Sequence, residues 1–208
     1  MSQRLLSFIL YVLAAAIGVV ALAYPFVARG LAGQSAGGPL PQGNVTPLLS
    51  TLLVSLCLAV LLIEMQGQAA GAKTVAALGI MISATAILRF IEVGIPGPAG
   101  FSPIFVPIIF GGYVFGGRFG FLLGAMTFLV SAIITGGVGP WLPYQMFTAG
   151  WIGMSAGILP HSTNGKVEIL ALAVFSFAWG FVYGLIMNLY TWPFLLGDAQ
   201  MTYLPGSG

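Results

Sequence analysis

The amino-acid sequence predicts an all-α integral membrane protein, a polytopic bundle of about seven transmembrane helices. Its composition supports this prediction, because 59% of the 208 residues are hydrophobic and only 5% are charged. Soluble domains typically carry about a quarter charged residues. A chain with so few charges lacks the polar surface of a water-soluble globule, so lipid and neighbouring helices must cover most of its length.

The apolar runs indicate where the helices lie, since about 20 apolar residues cross the hydrocarbon layer of a bilayer. Suitable runs occupy residues 5–29, 46–66, 74–94, 101–116, 119–136, 142–159 and 168–190. The first run is too long for a cleaved signal peptide and lacks a small-residue cleavage site, so we interpret it as a retained helix. The run 101–116 contains Pro103 and Pro107, which predict an irregular first turn.

A linker rich in glycine and proline follows the first run, at residues 30–45. The net charge of +2 is small and scattered, so no nucleic-acid partner is expected. Cys57 lies alone inside an apolar run and is interpreted as a packing residue.

The basic residues predict the orientation of the chain in the cell membrane. If the N-terminus is cytoplasmic, Arg4, Lys73, Arg118 and Lys166 fall on the cytoplasmic side and only Arg29 falls outside. The same topology places three segments together on the outer face: residues 94–101, the stretch around Trp141, and residues 188–208. These segments are rich in proline, glycine, aromatic and amide side chains.

The outer segments contain candidate ligand-binding residues. Trp141, Tyr144 and Trp192 can stack on a flat ligand, and Gln145 and Asn188 can form directional hydrogen bonds in a mostly apolar site. The alternative reading needs no ligand. Aromatic side chains favour the headgroup layer, and amides often bond to a neighbouring helix.

Arg89 and Glu92 are three residues apart and share one face of a predicted helix near its outer end. Ionisable residues within a membrane are candidates for a functional role. We therefore predict both as polar anchors for a ligand, and a mutually neutralised structural pair remains the alternative.

One catalytic pattern is present in the sequence. Residues 153–157, "GMSAG", match the G-x-S-x-G motif of serine hydrolases, and His161 follows shortly afterwards. That motif requires a strand-to-helix turn, whereas Ser155 lies in a continuous apolar run. The sequence also lacks a P-loop lysine pattern and a His/Cys/Asp/Glu ligand cluster. We expect no catalytic residue, no metal and no cofactor, and hence no enzyme.

The stretch 73–190 resembles the substrate-binding S component of energy-coupling factor (ECF) vitamin transporters. The resemblance rests on the order of four features: a short proline-containing helix, "GGRFGFLLG", a Gly-Pro-aromatic outer loop and "GWIGMSAG". It implies binding of a vitamin from outside, together with a membrane-embedded coupling subunit and two cytoplasmic ATPases. The ligand classes it suggests are corrinoids, riboflavin and thiamine, with a corrinoid as the first choice.

The resemblance also implies a docking surface for the coupling subunit on the first core helix. In the family this surface is an Ala-x-x-x-Ala face, and its nearest match here is Gly79 with Ser83. The resemblance covers five core helices, so it implies two parts: residues 1–72, an additional pair of N-terminal helices with the linker, and residues 73–208, a membrane core that is expected to lack its last helix. A self-contained small-molecule transporter and an intramembrane serine hydrolase using Ser155 remain the alternatives.

Overall fold

The computed structural model describes residues 72–95, 102–139 and 141–195, together with the isolated positions Val12, Ala16, Val19, Thr51 and Ser55. The described part forms five helices and no strand. They are α1 (Ala72–Gly94), α2 (Phe105–Phe115), α3 (Gly117–Thr135), α4 (Leu142–Ala156) and α5 (Gly165–Leu195). Each corresponds to one predicted run. Apart from those isolated positions, the predicted helices 5–29 and 46–66 lie outside the described residues, so the count of seven and the boundary at residue 72 stay predictions.

Three of these helices contain stretches long and apolar enough to cross a membrane: Lys73–Glu92, Gly117–Thr135 and Gly165–Leu189. Helix α2 is apolar but has only 11 residues. It begins later than the predicted run because Pro103 lies in a turn, whose carbonyl oxygen accepts a hydrogen bond from the Val106 N–H at 3.2 Å. Pro107 lies in the first turn of α2, where a missing N–H breaks no helical hydrogen bond.

Glycine and asparagine residues define several of the helix ends. Gly116, with φ of 95°, separates α2 from α3, and Gly136, with φ of 68°, ends α3 by donating its N–H to the Ala132 carbonyl. Positive φ favours glycine at both positions. At the start of α5 the Asn164 Oδ1 accepts a hydrogen bond from the Lys166 N–H at 3.1 Å, as an N-cap does.

Helix α3 forms the centre of the bundle. Of its apolar stretch 67% is buried, compared with 17% for α1 and 0% for α5. It crosses α4 at backbone contact, because a Cβ atom on either Gly120 or Gly153 would overlap the backbone of the other. Gly124 likewise meets Ala149. Residue numbers that rise along α3 meet numbers that fall along α4, so the two helices are antiparallel and closely packed through small residues.

Helix α5 lies at the edge of this bundle. One face packs on the core through side chains spaced three or four residues apart: Leu172, Phe175, Trp179, Tyr183 and Met187. The opposite face exposes large apolar side chains: Leu170, Val174, Phe177, Phe181 and Leu185. An exposed apolar face of this kind is what lipid contact requires.

The N-terminal end of α5 is attached to α2 by a polar contact. The Tyr113 hydroxyl donates a hydrogen bond to Glu168 Oε1. The ring of Tyr113 also stacks on His161, with ring centroids 4.2 Å apart. Tyr113 is buried, so this contact fixes one end of α5 to the body of the bundle.

Candidate substrate-binding site

A cavity of about 860 Å³ lies between α5 on one side and α1, α2 and α4 on the other. It is nearest to the C-terminal end of α1 and the N-terminal ends of α2 and α4. Its lining is mostly apolar, with a small number of polar groups, which is the usual character of a small-molecule site.

One polar part of the lining comes from α1 and from Ser102, three residues before α2. The Nη1 group of Arg89 donates to Glu92 Oε1 at 2.9 Å, and the Ser102 hydroxyl donates to Glu92 Oε2 at 2.7 Å. The guanidinium carbon of Arg89 lies 5.5 Å from the centroid of the Phe128 ring, within the range of a cation–π interaction. Arg89 and Glu92 therefore form the ion pair that the sequence analysis considered as an alternative, and both residues line the cavity.

The start of α4 contributes Trp141 and Gln145, which are one helical turn apart. The Trp141 ring is 45% exposed, and its indole N–H donates to the Gly137 carbonyl at 3.3 Å. Gly139 lies against the same ring, where a larger residue would collide with it. The glycine-rich loop before α4 thus holds the indole at the cavity, and the half-buried amide of Gln145 follows it.

The opposite wall combines aromatic rings with open backbone. Tyr183 contacts Phe105 edge to face, with ring centroids 4.7 Å apart, and Trp179 lies one turn before Tyr183. Gly180 and Gly184 also line the cavity, and a Cβ atom at either would meet nothing within 4 Å. The cavity therefore reaches the backbone of α5 between these rings.

The predicted site residues divide into three groups. Four of them line the cavity together: Arg89, Glu92, Trp141 and Gln145. Tyr144 is 5% exposed and packs in the core, and Asn188 lies on the exposed part of α5 after Met187; neither is part of the lining. The side chain of Trp192 lies outside the described residues. A role in binding stays a prediction for all seven.

From α5 the sequence analysis predicted only Asn188 and Trp192, near the C-terminal end, and it missed the part of this helix that lines the cavity. Two adjacent stripes at four-residue spacing carry this contribution: Ser176, Gly180 and Gly184 in one, and Trp179, Tyr183 and Met187 in the other. The four-residue spacing of Ser176, Gly180 and Gly184 is the signal that the sequence offers, and it does not show which side of α5 faces the bundle.

The predicted docking residues lie on an outward face of α1. A Cβ atom at Gly79 would meet nothing within 4 Å, and Ser83 is exposed, with its hydroxyl bonded to the Gly79 carbonyl at 2.8 Å. This face is unoccupied by the described residues, and its docking role stays a prediction.

The serine hydrolase alternative finds no support in the geometry. Ser155 lies inside α4, and its hydroxyl donates to the Trp151 carbonyl at 2.6 Å. His161 is stacked on Tyr113. Within the described ranges, His, Cys, Asp and Glu residues form no group of three or more that could hold a metal ion.

The fold and the cavity define a class: a helical membrane protein with a mostly apolar cavity between its helices. The family model for the ECF transporter, substrate-specific component, matches residues 73–205, a range that includes nearly all of the described helices. The chain therefore belongs to this family, whose members are transporter subunits rather than enzymes. The chain matches no curated protein and no solved structure at a significant level.

Proposed function

We propose that this chain is the subunit of an ECF-type importer that binds a vitamin or related micronutrient from the outside, in the cavity bounded by α5. One observation carries the proposal. Side chains from separate elements, Arg89 and Glu92 on α1 and Trp141 and Gln145 at the start of α4, meet in one cavity of about 860 Å³.

Binding in this cavity requires no covalent chemistry. Trp141, Trp179 and Tyr183 offer ring faces and edges for a flat ligand, and Gln145 and Arg89 offer hydrogen-bond donors that fix its orientation. Most of the remaining lining is apolar and favours removal of the ligand from water. Tyr144, Asn188 and Trp192 stay predicted contributors near the same end.

The cavity volume bears on the ligand class. Pockets for drug-sized ligands typically measure about 300–1,000 Å³, and this cavity lies within that range. A corrinoid, with a macrocycle and appended side chains, is much larger than a drug-sized molecule. We therefore place ligands of riboflavin or thiamine size ahead of the corrinoid that the sequence resemblance suggested.

The orientation and partners follow from the same proposal. Lys73, Arg118 and Lys166 lie at the N-terminal ends of α1, α3 and α5, which share one end of the bundle. We assign this end to the cytoplasm by the positive-inside rule, which makes the N-terminus cytoplasmic and the cavity end external. The coupling subunit would contact α1 at Gly79 and Ser83, and two ATPases would supply the energy.

The test measures retention of labelled riboflavin, thiamine and cobalamin by the purified chain and by its Trp141→Ala/Gln145→Ala variant. Loss of ring stacking and of a hydrogen bond should together cost about 1–3 kcal/mol, a loss of roughly 5- to 150-fold in affinity. Phe177→Ala is the control, because Phe177 is 70% exposed on the opposite face of α5. Equal affinity of the double variant and the control would contradict the site assignment.

A second measurement addresses the partners. The chain alone in proteoliposomes should bind the ligand without ATP-driven uptake, and uptake should begin when the coupling subunit and both ATPases are added. Uptake by vesicles that contain only this chain would instead support a self-contained transporter.

A further inference from the structure

The charges in the cavity balance each other. Among the described residues that line it, Arg89 is the cation and Glu92 is the anion, and they are bonded to one another at 2.9 Å. The second carboxylate oxygen of Glu92 accepts the Ser102 hydroxyl at 2.7 Å. Both oxygens of Glu92 therefore have a partner within the protein, and its charge is compensated before any ligand arrives.

Arg89 is differently placed, because its donors exceed its acceptors. A guanidinium group has five N–H donors, and among the described residues only Glu92 accepts one from Arg89. Its carbon lies over the Phe128 ring, which stabilises the cation but accepts none of the in-plane hydrogen bonds. Its remaining donors can serve a carbonyl oxygen or ring nitrogen of a ligand in the cavity.

The net charge of the ligand decides the electrostatic cost of binding. An uncompensated charge is expensive to place in a mostly apolar cavity. An anionic ligand would leave the occupied cavity with one negative charge in excess, and a cationic ligand with one positive charge in excess, since the protein pair already sums to zero. A neutral ligand adds no excess charge, and its acceptors can still use the Arg89 donors that the described residues leave unused.

We infer that this cavity selects an uncharged, flat ring compound whose carbonyl or ring-nitrogen acceptors face Arg89, and that Glu92 sets this charge preference. The inference rests on the proposed function, which places the substrate in this cavity. Of the ligand classes considered above, the neutral carbonyl-bearing ring of riboflavin fits this description, and the thiamine cation does not.

The experiment uses three probes that share one ring system: riboflavin, its 5′-phosphate and its 5′-amino derivative. The wild-type protein should bind riboflavin at least tenfold more tightly than either charged probe. Glu92→Gln keeps the shape of the side chain and one acceptor oxygen but removes its negative charge. It should therefore shift the preference toward the phosphate by about tenfold or more, and Arg89→Gln should shift it toward the amine.

Glu168→Gln is the matched control, because it also removes one negative charge, but near the N-terminal end of α5 and outside the cavity lining. It should leave the order of the three affinities unchanged. Tighter or equal binding of a charged probe by the wild type, or an unchanged preference in Glu92→Gln, would overturn the inference.

The remaining outcomes separate the inference from the proposed function. A protein that retains thiamine or cobalamin but not riboflavin would overturn the inference and leave the proposed function standing. A protein that retains none of these compounds would contradict both.

Discussion

The interface between α3 and α4 and the interface between α5 and the rest of the bundle are packed in different ways. Between α3 and α4 the backbones touch, and a single added carbon at Gly120 or Gly153 has no room. Between α5 and the rest of the bundle the contacts come from long side chains, and a cavity of about 860 Å³ remains. The α3–α4 interface is suited to hold α1, α2 and α4 in position, and the interface of α5 leaves space for a ligand.

The two interfaces also differ in how they can respond to a ligand. Backbone contacts at Gly120 and Gly153 have no rotatable groups that could adjust. In contrast, Trp179, Tyr183 and Met187 can change rotamer, and α5 is tied to α2 by Tyr113 and Glu168 at its opposite end. A ligand can therefore alter the cavity wall without disturbing the centre of the bundle.

The largest expected effect is on stability, and it distinguishes alanine substitutions at two helical glycines. Gly153→Ala places a methyl group on the Gly120 backbone and should destabilise the protein by about 1–3 kcal/mol or more. Gly180→Ala meets open space and should be neutral or stabilising by up to about 1 kcal/mol, because alanine favours the helix. Thermal unfolding in detergent measures both. Similar unfolding temperatures for the two variants would mean that the two interfaces do not differ in how closely they are packed.

An intermediate effect is expected where α5 is tied to α2. Tyr113→Phe removes the hydroxyl that donates to Glu168 and should cost about 1 kcal/mol, with faster hydrogen exchange in the first turns of α5. Tyr183→Phe is the control, since no hydrogen bond of its hydroxyl joins it to another described residue. Unchanged exchange in Tyr113→Phe would show that this contact does not hold the end of α5.

The smallest effect is expected at Ser155, inside the tightly packed part. Its hydroxyl bonds only to carbonyls of its own helix, Trp151 and Ile152, so Ser155→Ala should change stability by less than about 0.5 kcal/mol. Ligand retention should also be unchanged, and a fluorophosphonate probe should not label the wild type. Labelling that disappears in Ser155→Ala would revive the hydrolase alternative.

Much of the described fold could be predicted from apolar runs, because a transmembrane helix must satisfy its own backbone hydrogen bonds over a fixed thickness. The helix starting at Gly117 matches its predicted run closely. The start of α2 was predicted less well, since Pro103 forms a turn that an apolar count does not register. Gly116 and Gly120 are four residues apart but have different roles: the backbone of Gly120 contacts Gly153, and Gly116, with φ of 95°, forms the turn between α2 and α3.

The candidate site could be predicted only in part. Arg89, Glu92 and Gln145 stand out because charged and amide side chains are rare in the apolar runs, and Trp141 is one of only four tryptophans; the structure brings all four residues to one cavity. Gly180 and Gly184 do not stand out, since glycine is frequent throughout this chain. Their place in the cavity depends on how α5 is rotated against the bundle, which the sequence of an almost uniformly apolar helix does not specify.

The most direct test of the account fills the cavity from the α5 side. Gly184→Leu directs an isobutyl group into the space beside Tyr183, whereas Ala178→Leu adds a leucine to an exposed position of the same helix. Ligand affinity of the purified proteins is measured by equilibrium binding, with unfolding temperatures recorded in parallel. We predict at least a tenfold loss of affinity in Gly184→Leu and wild-type affinity in Ala178→Leu, with both proteins folded. Undiminished affinity in a folded Gly184→Leu protein would contradict the claim that this cavity is the substrate site.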